Sequence, residues 1–488
     1  MNPDWMQTLV RCLLPDWHTG SSLVPALLVG LHMLRQNRAR GKIATWMLCI
    51  LLFPILGTLS YLLFAGRKLS RTTRLRKIIN RIASELGAPG TPPPPQPGMD
   101  AAATPPATTD IPTPPETLGG NAITLLADED GTSTYNALLR EIAAARQTIH
   151  ITTYILGRDI VGREIIAALA RRARDGVRVR LLVDALGSFG AKWGLCAPLE
   201  QAGGHVRRFM PVLPLPRHWR GSANLRNHRK IAIFDGQRAI IGGQNLAIDY
   251  IGPAPRASRY RDFSALVEGP SVAALTRIFL GDWCFAARES PSDHHQLLRH
   301  RPAQAGPVRL EIISGGPDSF DDTLWERLLV LIQESRSQIT LVTPYLVPDD
   351  VLLRVLLLKI RAGVHTRLIL PRTSDHPLLD LARRPFLRAL HHAGAEILLH
   401  DNRMLHAKLF LLDSGTAVIG SANLDTRSLL VNFEVAAIVH SHAAIRPLRL
   451  LADDLAAHST PHAGPGLESR TLRGRALESL ASILAPLL

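Results

Sequence analysis

The sequence predicts an α/β protein of two tandem, pseudo-symmetric domains, each a mixed sheet flanked by helices, behind an amino-terminal membrane anchor. Three observations carry this. A pattern His-x-Lys-x4-Asp-x6-Gly-x-x-Asn occurs twice, 178 positions apart. Strand-like and helix-like stretches recur in the same order in both halves of residues 121–460. Near the amino terminus, 23 uncharged residues lie between clusters of arginine and lysine.

The anchor, residues 1–87, comes first. At 1.5 Å per residue the apolar run Ile43–Ala65 can cross a hydrocarbon core of about 30 Å, with a kink at Pro54. An earlier apolar stretch, 19–34, is short for a span and reads as a weak first helix or an interfacial one. Between residues 35 and 81 stand eleven basic side chains and no acidic one, part of a net charge of +15. Cations beside an apolar span suit anionic lipid headgroups better than nucleic acid. Those after Ala65 favour a cytoplasmic catalytic part, although the loop at 35–42 is also basic.

Residues 88–120, rich in Pro, Ala and Thr without apolar periodicity, read as an extended, disordered linker. The domains proper are then 121–300 and 301–460, with a tail at 461–488 whose end, LESLASILAPLL, suits an amphipathic helix on membrane or on the catalytic part. An apolar fraction of 46% supplies a large core. Cys12, Cys49, Cys196 and Cys284 lack metal or redox spacing, which excludes a disulfide scaffold or zinc module.

Within the domains QTIHITTYIL (147–156) is echoed by SQITLVTPYLV (337–347), GVRVRLLVDA (176–185) by GVHTRLILPR (363–372), and AGGHVRRF (202–209) by AGAEILLH (393–400). Helical runs lie between the strands, implying a largely parallel sheet present twice. The first half carries about thirteen extra residues within 210–227, placed beside the motif like a lid or substrate wall.

The motifs read HRKIAIFDGQRAIIGGQN, with His228, Lys230, Asp235, Gly242, Gly243 and Asn245, and HAKLFLLDSGTAVIGSAN, with His406, Lys408, Asp413, Gly420, Ser421 and Asn423. The chain has 19 histidines but only 7 lysines, so the paired His-x-Lys is not a product of composition. IAIF and LFLL read as buried strands, so the histidine and lysine two apart project to one face. The next strand ends at glycines that let backbone approach a ligand. Each half offers an imidazole, a cation and an amide, a set suited to a phosphodiester. Two-fold packing of the halves would place His228 opposite His406 in a shared cleft. The pairs His294/His295 and His391/His392 lack ligand spacing and are expected at the surface.

On these residues the chain resembles the phospholipase D superfamily, marked by a duplicated His-Lys-Asp motif. NHRKIAIFDGQRAIIGGQN, TPYLVPDD, LHAKLFLLD and GSANLDTRSLLVNFEV resemble more narrowly its bacterial cardiolipin synthase branch. The resemblance implies two phospholipase D-like domains and a two-step exchange on phosphorus. One histidine, by superfamily usage His228, forms a phosphohistidine, while His406 acts as acid and then base. Lys230, Lys408, Asn245 and Asn423 would hold the phosphoryl oxygens, with Ser421 as an added hydroxyl donor. Glu434, 28 residues after His406, matches a carboxylate that orients the histidine, and Asp262 looks like its first-half partner. Asp235 and Asp413, catalytic by motif, are expected to stabilise strand turns.

No metal or cofactor is required, because lysines supply the charge. The implied substrates are two phosphatidylglycerol molecules, giving cardiolipin and glycerol at a bacterial cell membrane, with phosphatidylethanolamine as another conceivable lipid. Water as acceptor would make the same site a membrane-bound phospholipase D. A membrane-tethered nucleic-acid phosphodiesterase or binding protein is a further reading, although nucleic acid is not the expected partner.

Overall fold

The computed structural model describes residues 69–87, 117–192, 194–210, 224–319, 321–401, 403–462 and 471–484, with six isolated positions between Trp46 and Tyr61. The stretch 19–34, most of the apolar run Ile43–Ala65, most of the linker and the insertion at 211–223 lie outside them. Among the described residues no helix is long and apolar enough to cross a membrane. Contacts divide the chain into Met1–Arg67 with Pro211–Leu225, and Lys68–Met210 with Arg226–Leu488. The second unit, which contains both motifs, is the one described below.

Its strands are β1 (Leu118–Leu126), β2 (Thr148–Thr153), β3 (Arg178–Asp184), β4 (His205–Phe209), β5 (Ile231–Phe234), β6 (Arg238–Gly242) and β7 (Ser264–Glu268) in the first half. The second half supplies β8 (Val308–Gly315), β9 (Gln338–Val342), β10 (Leu346–Val347), β11 (His365–Pro371), β12 (Glu396–His400), β13 (Leu409–Leu412), β14 (Thr416–Gly420), β15 (Leu424–Asp425), β16 (Glu434–Val439) and β17 (Ser459–Pro461). All but β10 and β15, which pair with each other, join one sheet in the order β17-β12-β11-β9-β13-β14-β16-β8-β1-β7-β6-β5-β2-β3-β4. Reading outward from the antiparallel β1/β8 seam, the two halves repeat the same order, an internal two-fold.

The expected α/β class and mixed sheet are present, but the sheet is not largely parallel. Within this sheet parallel pairing is confined to β2-β3-β4 and to β9-β11-β12, and the separate β10-β15 pair is parallel as well. The motif strands are hairpins, β5-β6 and β13-β14, and a hairpin is antiparallel by construction. Strand β1 begins at Leu118, inside the segment expected to be linker, because it pairs with both β7 and β8.

Eight helices position the elements used below: α1 (Ser70–Glu85), α2 (Ile160–Arg174), α3 (Ser271–Ala287), α4 (Asp350–Arg361), α5 (Pro377–Ala382), α6 (Arg384–Ala393), α7 (Thr426–Leu430) and α8 (Leu472–Leu484). Helix α2 shows the local logic. Asp159 caps it by accepting from Gly162 N at 3.0 Å, Val161, Ile165, Ile166 and Leu169 bury one face, and arginines occupy the last turn. That face packs with buried Ile149, Leu181 and Val183 of β2 and β3. Part of the basic segment is also spent on folding: Arg76 of α1 pairs with Asp318 at 3.1 Å, rather than facing lipid.

Each motif aspartate closes its hairpin. Asp235 and Asp413 adopt left-handed φ of 52° and 49°, which aspartate tolerates better than most residues. The Asp235 carboxylate accepts from Arg146, Gln147 and Thr148 N at 2.7–2.8 Å, at the start of β2. Asp413 accepts from Arg336, Ser337 and Gln338 N at 2.8–2.9 Å, at the start of β9. Both therefore sit at the far end of the hairpin from the histidines. Their motif position is structural, as the turn reading expected, and they are not grouped with the reacting side chains.

Candidate active site

The histidines sit just before β5 and β13, where the chain leaves the site face of the sheet. Each is held by backbone from the opposite half: His228 N donates to Phe433 O at 2.9 Å, and His406 N donates to Arg261 O at 2.8 Å. Short parallel bridges, Asn227 with Phe433 and Arg261 with Leu405, lie beside these bonds. The segment preceding each histidine is thus threaded against the segment carrying the other half's carboxylate.

The carboxylates cross accordingly. His228 Nδ1 lies 3.0 and 3.1 Å from the Glu434 oxygens, and His406 Nδ1 lies 2.6 Å from Asp262 Oδ2. Glu434 follows His406 in the chain, yet it orients His228, while Asp262 orients His406. Pairing by order along the sequence fails because the two-fold exchanges the partners.

The two carboxylates are not equivalent. Ser421 Oγ donates to Glu434 Oε2 at 2.5 Å, and Ser428 Oγ donates to Oε1 at 2.6 Å. Ser421 was expected at the phosphate; its single hydroxyl proton is spent on Glu434 instead, while its oxygen accepts from Val435 N at 3.0 Å. In the first half the matching residue is Gly243, where a Cβ would stand 2.5 Å from Asp262 Oδ1. Gly242 and Gly420 likewise admit the neighbouring strand, since Cβ atoms there would meet Phe263 O and Val435 O. These glycines make room for backbone and a carboxylate, not for ligand.

Burial pushes Asp262 up to about 6, against the pull of Lys408, a bond from Phe263 N, Lys230 and His228. Glu434 is also penalised by burial, but His228, Lys230 and Ser421 outweigh this and hold it below its ordinary value. Burial lowers His228, partly opposed by Glu434, and lowers His406 well below the usual range, reinforced by Lys408 and Lys230. Lys408 is brought down to about 8 and Lys230 well below its usual value, in both cases chiefly by burial. The four motif side chains thus share one buried electrostatic environment. Burial disfavours the imidazolium in both histidines, the direction that suits a nucleophile or a general base.

The lysines donate to the histidine carbonyls, Lys230 Nζ at 2.7 Å and Lys408 Nζ at 2.5 Å. Lys408 Nζ also lies 2.7 Å from His406 Nδ1, the atom facing Asp262. An ammonium only donates and a carboxylate only accepts, so the two contacts select opposite tautomers of His406. Asn245 Oδ1 accepts from Ile155 N at 3.2 Å, and its side chain also bonds Tyr250. Asn423 bonds Asp425 and leaves its buried Oδ1 without a protein partner.

Residues 138–283 and 328–453 match a family model described as a cardiolipin synthase, PLD-like domain. The chain belongs to the cardiolipin synthase family of phospholipase D-like proteins. Among members of this family it is 30% identical to cardiolipin synthase 2 of Bacillus cereus over 95% of this chain and 90% of that one. It is 32% identical to the major cardiolipin synthase ClsA of Bacillus subtilis over 74% of each. In fold it is similar to the phosphatidylserine synthase of Haemophilus influenzae, with a TM-score of 0.58 at 14% identity, covering 74% of this chain and 92% of that one.

Several residues supporting the family site escaped sequence reasoning. Arg229, between His228 and Lys230, points to the other side of the strand and is fully buried. It pairs with Asp282 at 2.6 Å and Asp318 at 2.8 Å, and its Nε donates to Glu434 O at 2.9 Å. An arginine leading into an apolar strand was its only signal. Tyr154 and Tyr250 stand edge-on to His228 and His406, each with ring centroids 5.1 Å apart. Tyr154 and Tyr345 occupy matching places in the echoed TTYIL and TPYLV, so the repeat itself marked them. His294, expected at the surface, is buried against Glu289 at 3.0 Å.

Proposed function

We propose that the protein transfers a phosphatidyl group between two phosphatidylglycerol molecules, giving cardiolipin and glycerol. The observation that carries this is the pair of histidines cross-braced by carboxylates in a chain of the cardiolipin synthase family. With Nδ1–H donated to Glu434, His228 presents an unprotonated Nε2 as nucleophile. Nε2 bonds to phosphorus while the phosphorus–oxygen bond to the departing glycerol breaks, and His406, entering the step as the imidazolium that Asp262 and the bound phosphodiester stabilise, gives that oxygen a proton and becomes neutral. His406 then takes the proton of the second phosphatidylglycerol's hydroxyl, whose oxygen bonds to phosphorus and expels Nε2. Lys230 and Lys408 face the charge that grows on the phosphoryl oxygens, with Asn245 beside them.

The firmly ionised Glu434, braced by two serines, suits the histidine that becomes a cationic phosphohistidine. Asp262, less firmly ionised, suits the histidine that exchanges protons. Residues 1–67 serve in this reading as a membrane anchor, α1 belongs to the catalytic unit with 88–117 as the linker from it to β1, and 118–300 and 301–460 are the paired catalytic domains at the cytoplasmic side of the cell membrane. The apolar run and its basic flanks support that placement.

The test is turnover of phosphatidylglycerol by the purified full chain in detergent, beside His228→Ala. Cardiolipin and glycerol from the wild type alone, with an acid-labile phosphoenzyme lost in His228→Ala, are expected. Phosphatidic acid instead would make it a phospholipase D. No product, even with phosphatidylethanolamine added, would remove the lipid reading.

A further inference from the structure

We propose that the face around the catalytic cleft is a docking surface for an anionic phospholipid bilayer, built from two apolar rims that the internal two-fold sets beside the two histidines. The proposal rests on the lipid reading of the site.

The first rim surrounds Tyr154, the ring edge-on to His228. The loop after β3 wraps this tyrosine: Ser188 Oγ donates to Tyr154 O at 2.7 Å, and a Cβ on Gly187 would strike the ring. Leu186 and Phe189 stand out from that loop, 46% and 48% exposed, although both are large and apolar. Ile160, at the first turn of α2, is exposed as well, and exposed Arg158 lies 3.9 Å from where a Cβ on Gly190 would be.

The second rim surrounds Tyr345, 6.5 Å from the His406 ring, with its hydroxyl on Asp375 Oδ1 at 2.5 Å. Val351, in the first turn of α4, is exposed at the place matching Ile160, and Leu378 is exposed on α5 after the loop matching Leu186–Phe189. Here the carboxy-terminal helix adds to the rim. The inner face of α8 is fixed: Ala481 is buried with Tyr345, Val347, Leu379 and Ala382, and buried Glu478 pairs with Arg388 at 2.6 Å and Arg384 at 3.6 Å. Its outer face presents Leu477 and Leu480, one turn apart and 56% and 53% exposed. The tail therefore docks on the catalytic unit and turns two leucines outward beside the site.

The residues of the loops, α2, α4 and α5 follow the carboxyl ends of parallel strands, the end at which the histidines lie, and α8 packs on Tyr345 and α5 there. Large apolar side chains exposed around one end of the sheet mark an interaction site. A bilayer suits it because the headgroup must enter between the rims while the acyl chains stay in an apolar phase. Exposed Arg158 and Arg475 complement anionic headgroups. A second protein seated on both rims would cover the cleft and exclude substrate.

The full chain would be reconstituted in phosphatidylglycerol vesicles whose lipids carry bromine in the acyl chains, with Phe189→Trp, Leu480→Trp and Leu450→Trp. Leu450 is exposed beside Arg449, which reaches Asp413 O at the far end of the hairpin. Emission added by Phe189→Trp and Leu480→Trp should be quenched, and that added by Leu450→Trp should not. Equal quenching at all three, or none at any, overturns the proposal without reference to catalysis. In parallel, Leu477→Asp/Leu480→Asp and Leu186→Asp/Phe189→Asp should each lower turnover of vesicle phosphatidylglycerol by about tenfold or more, given the value of burying two apolar side chains. Turnover of monomeric short-chain phosphatidylglycerol should stay within about twofold. Equal loss on both substrates would assign these residues to the cleft rather than to the bilayer. Cardiolipin formation absent from the wild type would remove the proposed activity but leave the quenching result standing.

Discussion

Asp262 and Lys408 set the pH range in which the site holds its working charges. Asp262, raised to about 6, is protonated below that pH and no longer braces His406 as a carboxylate. Lys408, lowered to about 8, loses its proton above that pH and with it a cation facing the phosphoryl group. Turnover should therefore rise through about pH 6 and fall through about pH 8; a rate unchanged between pH 5 and 9 would contradict both assignments. Ser421 acts one contact further back. Its hydroxyl helps keep Glu434 ionised, so Ser421→Ala should lower kcat by about tenfold to a hundredfold, in line with about 1.5–3 kcal/mol for a hydrogen bond to a buried charge. The decisive readout is a second acid limb in the pH profile, below the one set by Asp262, which should move upward with Glu434. A fall in kcat with an unmoved limb would mean that Ser421 only packs.

At the level of the hairpin, each motif aspartate ties a β-turn to the start of the neighbouring parallel strand. Burial opposes ionisation of Asp413, but backbone donors from Gln338, Arg336 and Ser337 and the Ser337 hydroxyl outweigh it and hold the carboxyl at about 2. A folded-state value below the unfolded one contributes stability above about pH 4, lost as pH falls towards 2. Asp413→Asn should cost about 1 kcal/mol at pH 7, allowing for solvent screening at this partly exposed turn, and about a third of that at pH 2.5. Urea melts at the two pH values would show it; an equal cost at both would mean that the charge is irrelevant. Arg229 is a harsher case within the strand that follows His228. Removing it leaves Asp282 and Asp318 buried without their shared cation, so Arg229→Ala should destabilise by about 3–5 kcal/mol. Thermal melts beside Arg229→Lys, which keeps the charge but not the fork, would measure this; a loss under about 1 kcal/mol would contradict the bracing role.

For the whole catalytic unit, crossed bracing means that neither half contains a complete catalytic pair. His228 needs Glu434 from the second half, and His406 needs Asp262 from the first. A chain cut between residues 300 and 307 should retain activity when both pieces are co-expressed, held by the β1/β8 seam and the crossed bridges. Either piece alone should have none. Activity from a single piece would show that a histidine works without its crossed carboxylate.

The sequence by itself determined the α/β class, the duplication, the motif residues and the turn role of the aspartates, because these depend on local spacing: period two along a strand, and a carboxylate after a buried run. It also marked Asp262 and Glu434 as the supporting carboxylates. Only the tertiary structure decided which histidine each one serves, since a two-fold relation between halves is invisible along one dimension. The same holds for Ser421, whose hydroxyl had equally good partners on paper in phosphate and carboxylate, and for the parallel share of the sheet, which hairpin closure limits. The tail helix was legible as amphipathic, but the surface covering its Glu478 and Ala481 face exists only once α5 and α6 have folded beside it.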